Sequence, residues 1–265
     1  MGEKQVENIA AVQGPHCLVD FHDRGDRMDI GKDAALELVV DLAKALQMKR
    51  LEAPRIVSGG DGRLSVYQIV STSHIIIHFG RKWIHADLFS CESFNLDLCV
   101  SVLLRRLGGD AVIQYCQRNL LTAPRETASL PMKRMNRLTS NPGTFTHALI
   151  NWYGGDEKLL GDIKAGTAVM EKALECLKEK ETLPPSEVVL IKVDPIPDSW
   201  DKGGFSGGYI NLMRQITIHT FRGINGAYTD IMAHCFDLEQ IIRIVGKGFR
   251  FKFFEVDGIF QRSAT

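Results

Sequence analysis

Apolar and polar residues recur along this chain with two periods, and the periods return in the same order in each half. Ala35, Leu38, Val39, Leu42 and Leu46 hold the three- and four-residue spacing of an amphipathic helix. Ile163, Met170, Leu174 and Leu177 repeat that stripe less regularly. Short apolar runs of strand length surround both. Gly14-Pro-His-Cys-Leu-Val-Asp-Phe21 is echoed by Thr146-His-Ala-Leu-Ile-Asn-Trp152, so that His16, Asp20 and Phe21 align with His147, Asn151 and Trp152. Ser73-His-Ile-Ile-Ile-His-Phe79 is echoed by Arg214-Gln-Ile-Thr-Ile-His-Thr220, and Arg63-Leu-Ser65 by Gly204-Phe-Ser206. Ala86-Asp-Leu-Phe89 has its partner in Thr229-Asp-Ile-Met232.

Ordered echoes over the whole length indicate an internal duplication. Each half reads as strand, helix, strand, hairpin strand, strand, helix, strand. The last strands are placed near Val112–Tyr115 and Phe249–Phe253. The segment Leu121–Pro142, rich in Arg, Thr, Asn and Pro, reads as a linker. Residues 1–120 and 143–265 are thus two tandem repeats. Antiparallel strands with helices on one face must bury the other face. The expected architecture is α+β, an α/β/β/α sandwich with sheet against sheet and the helices outside.

Composition narrows the function classes. The chain has 265 residues, 45% of them hydrophobic, with 32 basic and 32 acidic side chains. That balance gives no footprint for nucleic acid. The stretch Met1–Gln13 lacks the basic-then-apolar pattern of a secretory signal, and no apolar run nears the ~20 residues of a membrane span. A cytoplasmic protein without membrane contact is expected. Cysteines 17, 91, 99, 116, 176 and 235 form no CxxC pair, so buried thiols are expected and no metal site.

The chemistry concentrates where Val66–Ser71 and Ile75–His78 flank a polar break, Thr72-Ser73-His74. A tight turn normally uses Gly, Asn or Pro, and none stands here. A β-branched Thr beside Ser at such a turn is a site for backbone strain. Strain there has an outlet. The Ser73 hydroxyl can attack the preceding carbonyl, exchanging amide for ester. Elimination and hydrolysis then leave a pyruvoyl group, a ketone able to form a Schiff base and act as an electron sink. Taken alone, Ser73 and His74 also read as a satisfied polar turn.

Ser71-Thr-Ser-His-Ile-Ile-Ile-His78, followed by Ala86-Asp-Leu-Phe-Ser-Cys91, resembles S-adenosylmethionine decarboxylase of the small prokaryotic type. That family typically reads Ser-Glu-Ser-His-x-x-Ile-His, then Asp-x-Phe-Thr-Cys-Gly. The resemblance spans most of residues 14–120. It implies a self-cleaving lyase that cuts between Thr72 and Ser73, makes its pyruvoyl cofactor from Ser73, and supplies the aminopropyl donor for spermidine synthesis. By the same resemblance, His78 assists processing, Ser65 stabilises the processing intermediate, and Asp20 stands beside the substrate. Cys91 returns a proton to the substrate carbon, a role suited to a thiol with an unperturbed pKa of about 8.5. Residues 1–120 are then the catalytic repeat and residues 143–265 a degenerate one. The small form pairs two copies, and here the second half is expected to supply the other wall of the site.

Several departures bear on substrate. Arg214 and Gln215 replace Ser73 and His74 in the second half, where Ser206 and His219 survive and are expected to serve structure. Cys235 falls one position late against Cys91. Thr72 replaces the family's Glu. Trp200 stands where an adenine-stacking aromatic is expected, though a core anchor fits equally. The family's aromatic-Pro-Glu is absent from Phe79-Gly-Arg-Lys82 and Thr220-Phe-Arg-Gly223. A site without that carboxylate holds ribose hydroxyls less well. The readings are therefore S-adenosylmethionine as substrate, a smaller amine such as ornithine or arginine, or an unprocessed binding protein. A homodimer of the duplicated chain is also open.

Overall fold

The computed structural model describes residues 12–22, 30–120, 144–177, 188–195 and 202–263. The expected linker and Trp200 lie outside the described residues. The first half runs β1 (Val12–His22), α1 (Lys32–Ala45), β2 (Arg55–Ser58), β3 (Leu64–Val70), β4 (Ser73–Phe79), β5 (Trp83–Phe89), α2 (Leu96–Leu107) and β6 (Ala111–Leu120). The second runs β7 (Thr144–Tyr153), α3 (Ile163–Leu174), β8 (Val189–Val193), β9 (Gly204–Asn211), β10 (Arg214–Phe221), β11 (Gly226–Ala233), α4 (Leu238–Gly248) and β12 (Phe253–Ser263).

These strands form two antiparallel six-stranded sheets, ordered β2-β3-β4-β5-β1-β6 and β12-β7-β11-β10-β9-β8. Replacing each second-half strand by its counterpart gives the same order twice. The α+β sandwich and the repeat of its topology are therefore both present. Two details differ from the sequence reading. Leu177 lies beyond α3, bridging to Phe236, and the last strand begins at Phe253, four residues after the buried Phe249.

Strand alternation explains the layers. On β4, Ile75, Ile77 and Phe79 join the helix-side core with Leu38, Val39 and Leu42 of α1 and Leu103 of α2. On β10, Ile216 and Ile218 do the same with Met170 of α3 and Ile241 and Val245 of α4. The opposite parity meets the other sheet, and there the residues are largely polar. His16, Asp20, His74, His78, His85, Asp87, His147, Gln215, Thr217, His219 and Asp230 are all buried. Small apolar clusters border this layer, such as Tyr67, Ile69, Ile76 and Ile210, or Trp83, Phe145 and Met232. No helix among the described residues is long and apolar enough to cross a membrane.

Two arginines tie the layer together. Arg118 on β6 is fully buried and pairs with Asp230. It also donates to Asn151 Oδ1 (3.1 Å) and the Ile150 carbonyl (2.7 Å). Arg262, its counterpart on β12, reaches the first half: Nε donates to Asp20 Oδ1 at 2.7 Å and Nη2 to the Ala86 carbonyl at 3.0 Å. Each repeat therefore neutralises a carboxylate of the other. Removing one guanidinium would strand a buried charge, at a cost of about 3–5 kcal/mol. Arg262→Met is expected to lower the unfolding free energy by about that amount, measured by urea denaturation; a change below about 1 kcal/mol would show that Asp20 is compensated otherwise.

Candidate active site

The β3–β4 hairpin closes through Val70 and Ser73, which pair in register across the turn residues Ser71 and Thr72. Two-residue hairpin turns favour Gly or Asn because a central residue takes positive φ. Here Ser71 takes it, at φ 47°. The strained residue is thus Ser71 rather than Thr72, one peptide before the expected cleavage bond. Thr72 and Ser73 are each 3% exposed, so the bond is screened from bulk water.

Because β4 pairs with β5, the start of one strand adjoins the end of the other, where Cys91 follows. The Cys91 backbone N–H donates to Ser73 Oγ at 3.0 Å, and its thiol is hydrogen-bonded to the Thr72 hydroxyl. Ser73 and Cys91 share a cavity of about 870 Å³. Leu46, Met48 and Phe94 line it from the first half, and Lys192–Pro195 from the second. The second half does form part of the wall.

Ser65 and His78 lie elsewhere. His78 is five residues from Ser73 along β4, roughly 16 Å at strand rise. The structure does not bring His78 to Ser73, which corrects its expected place. Ser65 Oγ stands 2.6 Å from His78 Nδ1 and 3.1 Å from the Asn211 carbonyl, while His78 Nε2 donates to Gln215 Oε1 at 2.9 Å. This pair therefore faces the Asn211–Arg214 turn of the second half.

The duplication carries the mirror image. Ser206 and His219 are register partners on β9 and β10, as Ser65 and His78 are on β3 and β4. His219 reaches the first half's turn: its Nε2 lies 2.8 Å from His74 Nδ1, and the rings stack at 5.1 Å. His219 Nδ1 and Ser206 Oγ have no hydrogen-bond partner among the described residues. The imidazole that contacts His74, the residue after Ser73, is thus His219, which the sequence reading had given to structure. Pairing each half's Ser–His unit with the other half's turn would have required knowing that the sheets pack in a pseudo-twofold manner.

Asp20 is likewise not at the cavity. It is buried on β1, where Arg262 and the His85 Nδ1–H (2.7 Å) hold its carboxylate. Burial would raise its pKa, but Arg262 and His85 more than offset this and keep it well below the usual carboxylate range. A carboxylate so held has no free charge for a substrate cation.

Two buried groups, His16–Asp87–His147 and His16–His74–Asp230, have donor atoms within 4.8 Å of one another, the spacing of a metal cluster. The hydrogen bonding argues against an ion there. Arg118 and Arg262 donate to Nδ1 of His16 (3.5 Å) and His147 (3.4 Å), which leaves each Nε2 as an N–H facing Asp87. An N–H nitrogen has no lone pair for a cation in the first group. In the second, the Nδ1 atoms of His16 and His74 face Asp230, and Arg118 already occupies that place, donating to His16 Nδ1 and pairing with Asp230.

Residues 15–119 match the family model of S-adenosylmethionine decarboxylase. The likeness to that family is of this segment, not of the whole chain. Among solved structures, the adenosylmethionine decarboxylase of Aquifex aeolicus VF5 is 15% identical over 45% of this chain and 99% of its own, with a TM-score of 0.37. An unknown protein from Galdieria sulphuraria is 13% identical over 97% of this chain and 100% of its own, with a TM-score of 0.21. A search of curated proteins finds no match. Within the family-matched segment stand Ser65, Ser73, His78 and Cys91; Ser206 and His219 lie outside it.

Two tests follow from the site's electrostatics and strain. Burial, the largest effect, lowers the pKa of His78 to about 4 and that of His85 to about 3, though Gln215 pulls the first upward and Asp20 the second. Their unfolded value is about 6.5, so the folded state resists protonation. Stability from these groups is complete above about pH 6.5 and falls as pH drops toward 4, by up to about 1.4 kcal/mol per pH unit for each. Thermal melts should show Tm falling over that range, and a flat profile would refute the burial argument. Ser71→Gly should relieve the left-handed strain, stabilising the uncleaved hairpin by about 1 kcal/mol and raising its Tm in a Ser73→Ala background.

Proposed function

We propose that the chain cuts itself between Thr72 and Ser73 and becomes a pyruvoyl-dependent decarboxylase, with S-adenosylmethionine as its substrate in spermidine biosynthesis. One observation carries the reading. The Ser73 hydroxyl is held by the Cys91 N–H, two residues after a left-handed Ser71, at a cavity large enough for a metabolite.

The chain's own groups suffice for the cut. Ser73 Oγ attacks the Thr72 carbonyl carbon; a C–O bond forms, the C–N bond breaks, and the hydroxyl proton ends on the Ser73 nitrogen. A base then takes the Ser73 Cα proton, the Cβ–O bond breaks, and Thr72 leaves as a carboxylate. Water replaces the nitrogen, which departs as ammonia. His219 suits the base role. Burial, foremost, holds its pKa well below the ordinary value, so the ring is neutral, and its Nδ1 lacks a partner among the described residues. Ser206, its register partner, is placed to serve the intermediate. The ketone so formed supplies a carbonyl that captures a substrate amine and draws electrons as carbon dioxide leaves. The Cys91 thiol lines the same cavity, which supports it as the group that returns a proton.

A smaller amine, ornithine or arginine, is the second reading. It is favoured by the missing ribose carboxylate in Phe79–Lys82 and Thr220–Gly223.

A denaturing mass spectrum should give two fragments, 1–72 and an N-terminally blocked 73–265, and Ser73→Ala should remain one chain. An intact wild-type chain would overturn both enzyme readings in favour of a binding protein. His219→Ala should slow cleavage by roughly 100-fold or more, whereas His78→Ala should cleave at near the wild-type rate; the reverse order would return the base role to His78. Carbon dioxide release from S-adenosylmethionine, ornithine and arginine then identifies the substrate.

A further inference from the structure

His74 directly follows the cleavage serine. Its ring lies between two groups of fixed character. On one side Nε2 stands 3.2 Å from Asp87 Oδ1. On the other Nδ1 stands 2.8 Å from His219 Nε2, with Asp230 Oδ2 farther off at 3.9 Å. All three side chains are fully buried, so each proton must be placed by these neighbours rather than by water.

Asp87 accepts only. It already receives the His16 Nε2–H at 2.6 Å and the Gln215 amide N–H. The His74 contact is not an aligned hydrogen bond, yet a carboxylate oxygen at that distance favours an N–H over a lone pair facing it. With a single proton, on Nε2, His74 offers a lone pair at Nδ1. The His219 Nε2–H then donates to it, and the His219 lone pair falls on Nδ1, the nitrogen free of hydrogen-bond partners among the described residues.

The second half supplies an internal comparison. There Gln215 occupies the position of His74, its Oε1 accepting the His78 Nε2–H at 2.9 Å while its amide group donates to Asp87. His78 Nδ1 then faces the Ser65 hydroxyl at 2.6 Å. Two different side chains thus present an acceptor to the equivalent histidine and a donor to the same carboxylate. The shared feature is the tautomer imposed.

We propose that His74 is a positioning residue: together with Asp87 it fixes His219 in the tautomer whose Nδ1 is the free base for cleavage. The inference rests on the self-cleaving reading of Ser73. A wrong tautomer can preserve geometry and still abolish general-base function.

The test separates the two ideas. In the full-length Ser73→Ala chain, uncleaved by design, nitrogen-15 NMR of labelled histidine should place the His219 proton on Nε2, whether or not the wild type cleaves. Adding His74→Leu should remove that preference, and adding His74→Gln should keep it. In the Ser73 background, His74→Leu should slow cleavage by roughly 100-fold, and His74→Gln should restore it to within about 10-fold of wild type. A His219 proton found on Nδ1, or His74→Leu and His74→Gln cleaving equally, would overturn the proposal. Should His74→Leu fail to fold, the tautomer in the Ser73→Ala chain and the rate of His74→Gln still decide it. If the tautomer is as proposed but the wild-type chain stays intact, the fault lies with the cleavage reading alone.

Discussion

Two sheets that meet across a charged layer can stay together only if every buried charge finds its partner. In this protein the partners come from opposite halves. Arg118 crosses from the first sheet to Asp230 and Asn151, and Arg262 crosses back to Asp20. Attraction between such pairs does little more than offset the desolvation of both ions, so their main effect is on which packing is allowed. Any shift of one sheet over the other would leave both guanidiniums and both carboxylates unmatched. The exchange therefore fixes the register in which the halves face each other, and every distance in the site depends on that register.

The same reciprocity organises the chemistry. Each half holds a Ser–His pair, and each pair faces the hairpin turn of its twin. Only the first turn carries a serine able to attack its own peptide bond, so under the proposed self-cleavage one half is cut and the other supplies the base. Ser65 and His78 remain well formed beside Arg214 and Gln215, where no such attack is possible. On that proposal His78, facing a turn without the serine, has no reaction to assist, and His219 has one.

The layer is also full of histidine, and its chemistry follows from the few groups that accept only. Asp87 has three imidazole nitrogens within 3.5 Å and an amide besides. It orders their protons without any lysine or arginine in an ion pair with it among the described residues. Asp230 and Asp20 take the two arginines instead. The division separates structural charge from proton placement within one continuous interior.

Much of this was legible in the sequence. The helical stripes, the alternating strands and the ordered echoes gave the sandwich and its duplication, because local periodicity is set by backbone geometry and needs no tertiary context. Ser73 and Cys91 were singled out by their likeness to the family's motifs; that they meet follows from adjacent antiparallel strands, which place the start of one beside the end of the next. His78 and Asp20 were misplaced for a complementary reason. Sequence distance along one strand suggested that His78 was near Ser73, and the resemblance put Asp20 where the family has a Glu beside the substrate. Which histidine reaches the cleavage turn, and which cation holds Asp20, are contacts between residues 145 and 242 positions apart. Contacts of that kind are decided only when the two sheets close on one another, because only then must the buried charges and protons be shared out.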